Sequence, residues 1–69
     1  EIDLVLLQND KIIPVEVKYS ANVQRKNINH LFAFLNEHKI TTGFYIYGGA
    51  LDIVKNGEMK ILLIPYYYL

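Results

Sequence analysis

The sequence predicts a small α/β domain in which one helix crosses over a mixed four-stranded sheet. Two β-favouring runs at the start of the chain flank a polar turn, apolar residues at helical spacing occupy the middle, and two further β-favouring runs follow. The chain has 69 residues, of which 52% are hydrophobic, which suits one small core. We therefore expect a single domain over residues 1–69.

The first predicted element is a β-hairpin formed by residues 1–7 and 12–18. Ile, Val and Leu dominate both stretches, and residues 8–11 between them are polar. Alternation along the strands gives one side of the hairpin a continuous apolar set that needs cover. Its members are Ile2, Leu4, Leu6, Ile13, Val15 and Val17.

Four charged residues fall on the other side of this hairpin. With a two-residue turn at positions 9 and 10, Asp3 lies opposite Glu16, and Glu1 lies opposite Lys18. A register slip of one residue would separate them. The turn therefore predicts a cluster of charges on one side of the two strands.

The second predicted element is a helix that begins at Ser20 or Asn22, both good N-caps, and ends near His38. Apolar residues recur along it at i, i+3, i+4 and i+7, which predicts a stripe facing the sheet. The stripe consists of Ile28, Leu31, Phe32 and Leu35, widened by Val23 and Phe34.

Two further strands are predicted at residues 42–47 and 60–64, joined by a loop. Gly48-Gly49 ends the first of them and Pro65 ends the second. A right-handed crossover would place the strand at 42–47 parallel to the second hairpin strand. Because one helix covers only one face of such a sheet, we interpret the chain as a piece of a longer protein that supplies the rest of the cover.

Composition narrows the function classes. The chain has no cysteine, so disulfides and Cys-based zinc sites are excluded, which fits a cytoplasmic protein. Seven basic and seven acidic residues cancel, so any contact with nucleic acid has to be local. The longest apolar run, residues 61–69, is interrupted by Pro65 and is too short to cross a bilayer. We expect no membrane association.

The facing carboxylates allow two interpretations. Asp3 and Glu16 should repel each other, and a divalent cation would offset that repulsion, with oxygen ligands that suit Mg²⁺ or Mn²⁺. Alternatively, Glu16 and Lys18 form an ordinary surface ion pair worth about 0–1 kcal/mol. The hairpin pattern alone leaves both interpretations open.

The order of the motifs resembles that of the PD-(D/E)XK nuclease superfamily. Glu-Ile-Asp at residues 1–3 and Pro-Val-Glu-Val-Lys at residues 14–18 are typical of it, and the strand before Gly48-Gly49 and the Ile-Pro-Tyr tail at residues 64–66 follow in the same order. More narrowly, the chain is similar to the nuclease-like C-terminal domain of prokaryotic AAA-type ATPases. The resemblance implies a restriction-endonuclease-like partial core, because the first helix and strand of that fold are not in this sequence.

The resemblance also implies roles for individual residues. In that superfamily the Asp and Glu bind a divalent metal and the Lys positions or activates the attacking water. Asp3, Glu16 and Lys18 would then be catalytic, and the carbonyl of Val17 would complete a metal site formed by Asp3 and Glu16. Glu1 is typical of the narrower family and is a further accessory candidate.

Three residues near the predicted helix start are accessory candidates as well. Related nucleases often direct a polar side chain from this helix toward the site, which suggests Gln24. Arg25 and Lys26 lie where a helix dipole disfavours cations unless phosphate is held nearby, although a solvated face explains them equally well. We expect His30 to be half-buried and His38 to be structural.

Three functions follow as hypotheses. The first is a Mg²⁺- or Mn²⁺-dependent nuclease-fold domain that hydrolyses DNA or RNA and depends on an upstream ATPase domain of the same chain. The second is a non-catalytic module of the same fold that binds nucleic acid or a protein partner. The third is an interaction domain whose charges are only surface pairs. An uncovered apolar face would also favour homo-oligomers.

Overall fold

The computed structural model describes residues 2–9 and 11–68, without the side chains of Leu4, Leu6 and Gln8, and shows one α-helix crossing a mixed sheet. Its elements, in chain order, are β1 (Leu4–Gln8), β2 (Lys11–Val17), α1 (Arg25–His38), β3 (Thr42–Tyr47), β4 (Asp52–Asn56), β5 (Met59–Pro65) and a 3-10 turn (Tyr66–Tyr68). The predicted small α/β fold, with its hairpin, crossover helix and two later strands, is confirmed.

The sheet has the strand order β1-β2-β3-β5-β4. The three central strands β2, β3 and β5 are parallel, and the edge strands β1 and β4 are antiparallel to their neighbours. The predicted hairpin register is confirmed from Gln8–Lys11 to Leu4–Val15. Asn9, with a φ of 53°, adopts the left-handed conformation that this tight turn needs.

Strand β4 corrects the prediction of four strands. Residues 52–56 lie in the segment that we expected to be a loop, but they pair with β5 as an antiparallel edge strand. This strand contains only two β-branched residues, which are adjacent and flanked by Asp52, Lys55 and Asn56. Its sequence therefore lacks the alternation of apolar and polar residues by which strands are recognised. Gly57, with a φ of 62°, turns the chain from β4 into β5.

Helix α1 begins at Arg25, later than predicted. Ser20 does not cap it, because its hydroxyl accepts a hydrogen bond from the backbone amide of Asn22, at 3.0 Å, within the preceding loop. Gln24 takes the N-cap position in an extended conformation, without a side-chain cap. Val23 therefore lies outside the helix, and its side chain is 36% exposed instead of widening the apolar stripe.

The core lies between α1 and one face of the sheet, which we call the covered face. The predicted helical stripe is buried there against strands β3 and β5, chiefly by Tyr45, Tyr47, Ile61 and Leu63. Gly43 lies directly under the helix, where an added Cβ atom would be in van der Waals contact, 3.4 Å from the Leu31 side chain. The crossover helix is therefore packed onto the central strands.

The other side of the sheet, the open face, carries apolar residues that point away from α1. It consists of Ile13, Val15, Val17, Phe44, Ile46, Ile53, Leu62 and Ile64. Ile2 does not belong to it as predicted: regular pairing starts at Leu4, and Ile2 packs on the helix-side core instead. Within residues 2–9 and 11–68, no helix lies on this face, and no helix is long and apolar enough to span a membrane.

Candidate functional site

The candidate site begins at Glu16 near the carboxyl end of β2. Glu16 is paired with Tyr45 across the β2–β3 ladder, which places it on the covered face, and its accessible surface is only 2% of the maximum. Its Oε2 atom lies 3.1 Å from Nζ of Lys18. Apart from this ion pair, Oε2 has no partner in the described part of the chain. Burying a carboxylate with a single partner is costly unless further groups bind it.

Asp3 reaches the same place by a different route from the predicted one. Regular β1–β2 pairing ends at Leu4–Val15, so Asp3 and Glu16 do not form the predicted cross-strand pair. Instead, Oδ2 of Asp3 accepts a hydrogen bond from the backbone amide of Val17 at 2.8 Å. The carboxylate thus substitutes for a strand carbonyl and stays beside the end of β2.

Lys18 contacts Glu16 and is also exposed to water. Hydrogen-bonding contact with Glu16, and then the attraction of its negative charge, raise the pKa of Lys18 above the ordinary 10.5, and the charge of Asp3 adds to the effect. The side chain is 40% exposed, so the ammonium group also faces water. The structure therefore brings Asp3, Glu16 and Lys18 together, with one carboxylate buried and the cation at the surface.

A cleft of about 510 Å³ opens directly beside Lys18. It lies between the end of β2 and the start of α1. Its lining residues are Lys18, Ser20, Asn22, Gln24, Lys26, Asn27, His30 and Tyr45. Among the residues that the structure describes, this lining has two lysines, several neutral donors and no carboxylate, which favours an anion.

The accessory candidates separate in the structure. Gln24 and Lys26 line the cleft, whereas Arg25 lines a different groove, between α1 and β4. Glu1 lies outside the described residues. Val17 ends β2 and uses its amide for Asp3, and the role of its carbonyl as a metal ligand stays a prediction.

Sequence reasoning missed five residues of the cleft, namely Ser20, Asn22, Asn27, His30 and Tyr45. His30, expected to be half-buried, is exposed and lines the cleft. Asn27 donates a long hydrogen bond, 3.5 Å, from Nδ2 to the hydroxyl of the fully buried Tyr45. The signal for Asn27 and His30 was available, because they follow Gln24 at i+3 and i+6 on a helix, and such positions lie on neighbouring parts of one face.

The oxygen atoms at the end of β2 fit a hard divalent cation. Carboxylate and carbonyl oxygens are the ligands that Mg²⁺ and Mn²⁺ prefer, and Oε2 of Glu16, whose one partner among the described residues is Lys18, is such an oxygen. Within the described residues, no three side chains from His, Cys, Asp and Glu form a cluster that could hold a metal. The fit therefore rests on two carboxylates, Asp3 and Glu16, with water or substrate oxygens to complete the shell.

The surface-pair interpretation accounts for only part of this geometry. The predicted Glu16–Lys18 ion pair is present, but surface pairs join two solvated groups, whereas the Glu16 side chain is only 3% exposed. A buried carboxylate is expensive and persists where structure or function compensates.

The comparisons with known proteins give one result. No curated protein and no solved structure matches the chain significantly. A family model described as "Domain of unknown function (DUF4143)" matches residues 1–68. This domain is found in proteins associated with AAA-type ATPases, in agreement with the ATPase part of the predicted resemblance. Because the match covers almost the whole sequence, the chain belongs to the DUF4143 family.

Proposed function

We propose that this domain is a divalent-metal-dependent nuclease-fold domain that hydrolyses phosphodiester bonds in DNA or RNA, within a protein that also contains an AAA-type ATPase domain. The observation that carries the proposal is the Glu16 carboxylate, which is only 2% exposed, has Lys18 as its one partner at 3.1 Å among the described residues, and lies next to Val17, whose amide binds the Asp3 carboxylate. A bound Mg²⁺ or Mn²⁺ would offset the charge of these carboxylates.

The residues divide the work by their environments. Asp3 and Glu16 would hold the metal, and the hydrogen bond from the Val17 amide fixes the orientation of the Asp3 carboxylate. When bound, the metal supplies charge neutralisation at the phosphate and a water of lowered pKa. Lys18 is protonated at neutral pH, since its ordinary pKa of 10.5 is raised further by Glu16, so it can donate to a phosphate oxygen or orient the attacking water at the mouth of the cleft.

The cleft supports phosphate as the substrate group. Lys26 and Asn27, in the first turn of α1, both line it, and no acidic residue occupies that turn. Free backbone amides at a helix start favour an anion, and a second cation there adds to the attraction. These features place positive potential next to the carboxylates, as phosphodiester hydrolysis needs.

A non-catalytic nuclease-fold module is the second candidate. It is favoured by the Lys18–Glu16 contact at 3.1 Å, which already engages the lysine, and by the small number of acidic ligands. In such a module the cleft would still bind an anionic partner, while Glu16 and Lys18 would only hold the end of β2 in place.

The test is thermal unfolding of the protein at neutral pH with MgCl₂ or MnCl₂ titrated in. Metal at about 100 times its dissociation constant should stabilise the wild type by about 2.7 kcal/mol, or roughly 10–20 °C in Tm for a domain of this size. Glu16→Gln and Asp3→Asn should lose the effect. Glu58→Gln, which neutralises an exposed acid in the β4–β5 turn, should retain it.

Hydrolysis is then measured with labelled single- and double-stranded DNA and RNA. Cleavage that requires metal and disappears in Glu16→Gln and Lys18→Met supports the nuclease. Metal binding without cleavage, or anion binding without metal, favours the non-catalytic module. If metal leaves every Tm unchanged while Glu16→Gln is as stable as the wild type, the metal site is wrong.

A further inference from the structure

Four exposed tyrosines lie together at the carboxyl edge of the parallel strands. Tyr19 follows β2, and the other three form the 3-10 turn after β5. Because β2, β3 and β5 are parallel, the segments that leave them meet at the same edge of the sheet. The ring centroids of Tyr19 and Tyr66 are 6.0 Å apart, and those of successive tyrosines in the turn are 6.0 and 5.6 Å apart. We call these residues the tyrosine platform: Tyr19, Tyr66, Tyr67 and Tyr68.

The buried part of the sheet holds the platform in position. Pro65, which directly precedes the turn, is fully buried. The ring of Tyr66 lies over Gly48, where an added Cβ atom would be 3.1 Å from it. The hydroxyl of Tyr67 donates a long hydrogen bond, 3.5 Å, to the carbonyl of Gly49. The rings are therefore carried by backbone that is anchored to the end of the sheet.

The faces of these rings are open to solvent. Tyr19 is 81% exposed, and Tyr67 and Tyr68 are 64% and 63% exposed. Neighbouring rings are inclined to each other by 59°, 82° and 81° along the platform. In such edge-to-face arrangements the edge of one ring meets the face of the next, so the rings do not cover each other by stacking. Ring faces remain available to other planar groups.

The platform adjoins the cationic cleft. Tyr19 lies in the chain between Lys18 and Ser20, both of which line the cleft, and Lys26 adds a second cation there. The amide of Gly48 donates a hydrogen bond to the carbonyl of Ser20 at 3.0 Å, which keeps this loop at the edge where the turn lies. Cations that follow a phosphate backbone and aromatic rings on which bases stack are together the features that bind single-stranded nucleic acid.

We propose that the tyrosine platform stacks the bases of a single-stranded nucleic acid whose phosphates lie in the cleft beside Lys18 and Lys26. The inference rests on the proposed function and narrows its substrate to single strands, because a duplex buries its base faces in its own stack. The net charge of zero agrees with it, since stacking supplies affinity that long-range attraction does not. An apolar protein surface would also cover the rings, but it would not use the cations that adjoin them.

The test is binding measured by fluorescence anisotropy in EDTA, which removes divalent metal and so prevents metal-dependent cleavage. The ligands are a labelled single strand of about 12 nucleotides, as DNA and as RNA, a blunt duplex of the same sequence, and an abasic strand of the same length. The single strand should bind about tenfold more tightly than the duplex or the abasic strand, which keeps the phosphates but lacks the bases.

Variants of the platform test the rings directly. Tyr19→Ala and Tyr67→Ala should each weaken binding of the single strand about tenfold, whereas Tyr67→Phe keeps the ring and should bind like the wild type. Ile53→Ala, which truncates an exposed apolar residue away from this edge, is the control and should leave binding unchanged.

Intrinsic fluorescence gives a second measurement. The chain has six tyrosines and no tryptophan, and Tyr45 and Tyr47 are buried, so the four platform residues are the exposed emitters. The single strand should quench this emission, and the abasic strand should not. The proposal is wrong if the duplex or the abasic strand binds as tightly as the single strand, or if both alanine variants bind like the wild type. Concentration-dependent dimers that Tyr19→Ala abolishes, without binding of the single strand, would identify a protein-binding surface and would also overturn it.

Metal titration separates this inference from the proposed function. Tyr19→Ala and Tyr67→Ala leave the carboxylates of Asp3 and Glu16 in place, so both variants should retain the metal-dependent rise in Tm. A retained rise without any preference for single strands would refute the platform alone. Preference for single strands in EDTA without any effect of metal on the Tm would support the platform and overturn the hydrolytic function.

Discussion

The two faces of the sheet are formed by the same strands, but α1 packs on one face, and no helix among the described residues packs on the other. Leu62 and Leu63 are adjacent in β5, yet Leu63 is 4% exposed under α1 while Leu62 is only half-buried on the open face. The polar chemistry follows the same division. Glu16 lies on the covered face, where it is buried and paired with Lys18, and Lys55 and Lys60 lie on the open face, where water solvates them. The buried Glu16 carboxylate needs a partner to offset the cost of its burial, whereas the exposed lysines of the open face are stabilised by water.

The largest effect should come from truncating these two neighbouring leucines. Leu63→Ala leaves a cavity under α1 and should lower the free energy of unfolding by about 3 kcal/mol. Leu62→Ala removes the same atoms from a surface that water already reaches and should cost about 1 kcal/mol. Urea denaturation of both variants measures the difference directly.

An equal loss in both variants would contradict this comparison of the faces. It would mean that the open face is covered in solution. Wild-type stability at several protein concentrations is the control, because self-association would make the Leu62→Ala cost depend on concentration.

A smaller effect should distinguish hydroxyl groups on the two faces. The hydroxyl of the buried Tyr47 donates to the Ala50 carbonyl at 2.6 Å, so Tyr47→Phe leaves that carbonyl without its partner and should cost about 1 kcal/mol. Phe44→Tyr adds a hydroxyl to the open face, where it can reach water, and should change stability by less than about 0.5 kcal/mol. Thermal unfolding of both variants checks this, and a similar cost for both would place Phe44 in a closed environment.

The sequence predicts the covered face better than the site. The stripe from Ile28 to Leu35 followed from periodicity and the β1–β2 register from the two-residue turn, because in both cases a residue's position depends on its near neighbours. The place of Asp3 did not, because the ladder stops one residue earlier and a side chain, Asp3 to the Val17 amide, replaces the backbone bond. Competition between side-chain and backbone acceptors leaves no trace in the apolar pattern.

Strand β4 and the helix start were missed for a related reason. Edge strand β4 has most of its residues exposed, so burial did not impose the alternation by which strands are recognised. Ser20 is a favourable N-cap residue, but its hydroxyl accepts the hydrogen bond of the Asn22 amide within a loop, and the helix begins only at Arg25. Tertiary contacts of the loop override such local capping preferences. Here the Gly48 amide donates a hydrogen bond to the Ser20 carbonyl at 3.0 Å, which holds Ser20 in the loop.

The smallest expected effect is a loss of stability at high pH that arises on the covered face. Contact with Glu16 raises the pKa of Lys18 above 10.5, and burial, followed by the charge of Asp52, raises the pKa of Tyr47 above 10.0. A group whose pKa is raised on folding stabilises the fold fully below its unfolded pKa and loses that contribution as the pH rises through the folded pKa. The Tm should therefore fall above about pH 10 for both reasons. Lys18→Arg keeps a cation beside Glu16 but does not titrate in this range, and Tyr47→Phe removes the phenol, so each should flatten part of the fall and the double variant should flatten more. A double variant whose Tm falls as steeply as that of the wild type would show that neither group is linked to folding. The electrostatic contrast between the covered and the open face would then rest on Glu16, Lys55 and Lys60 alone.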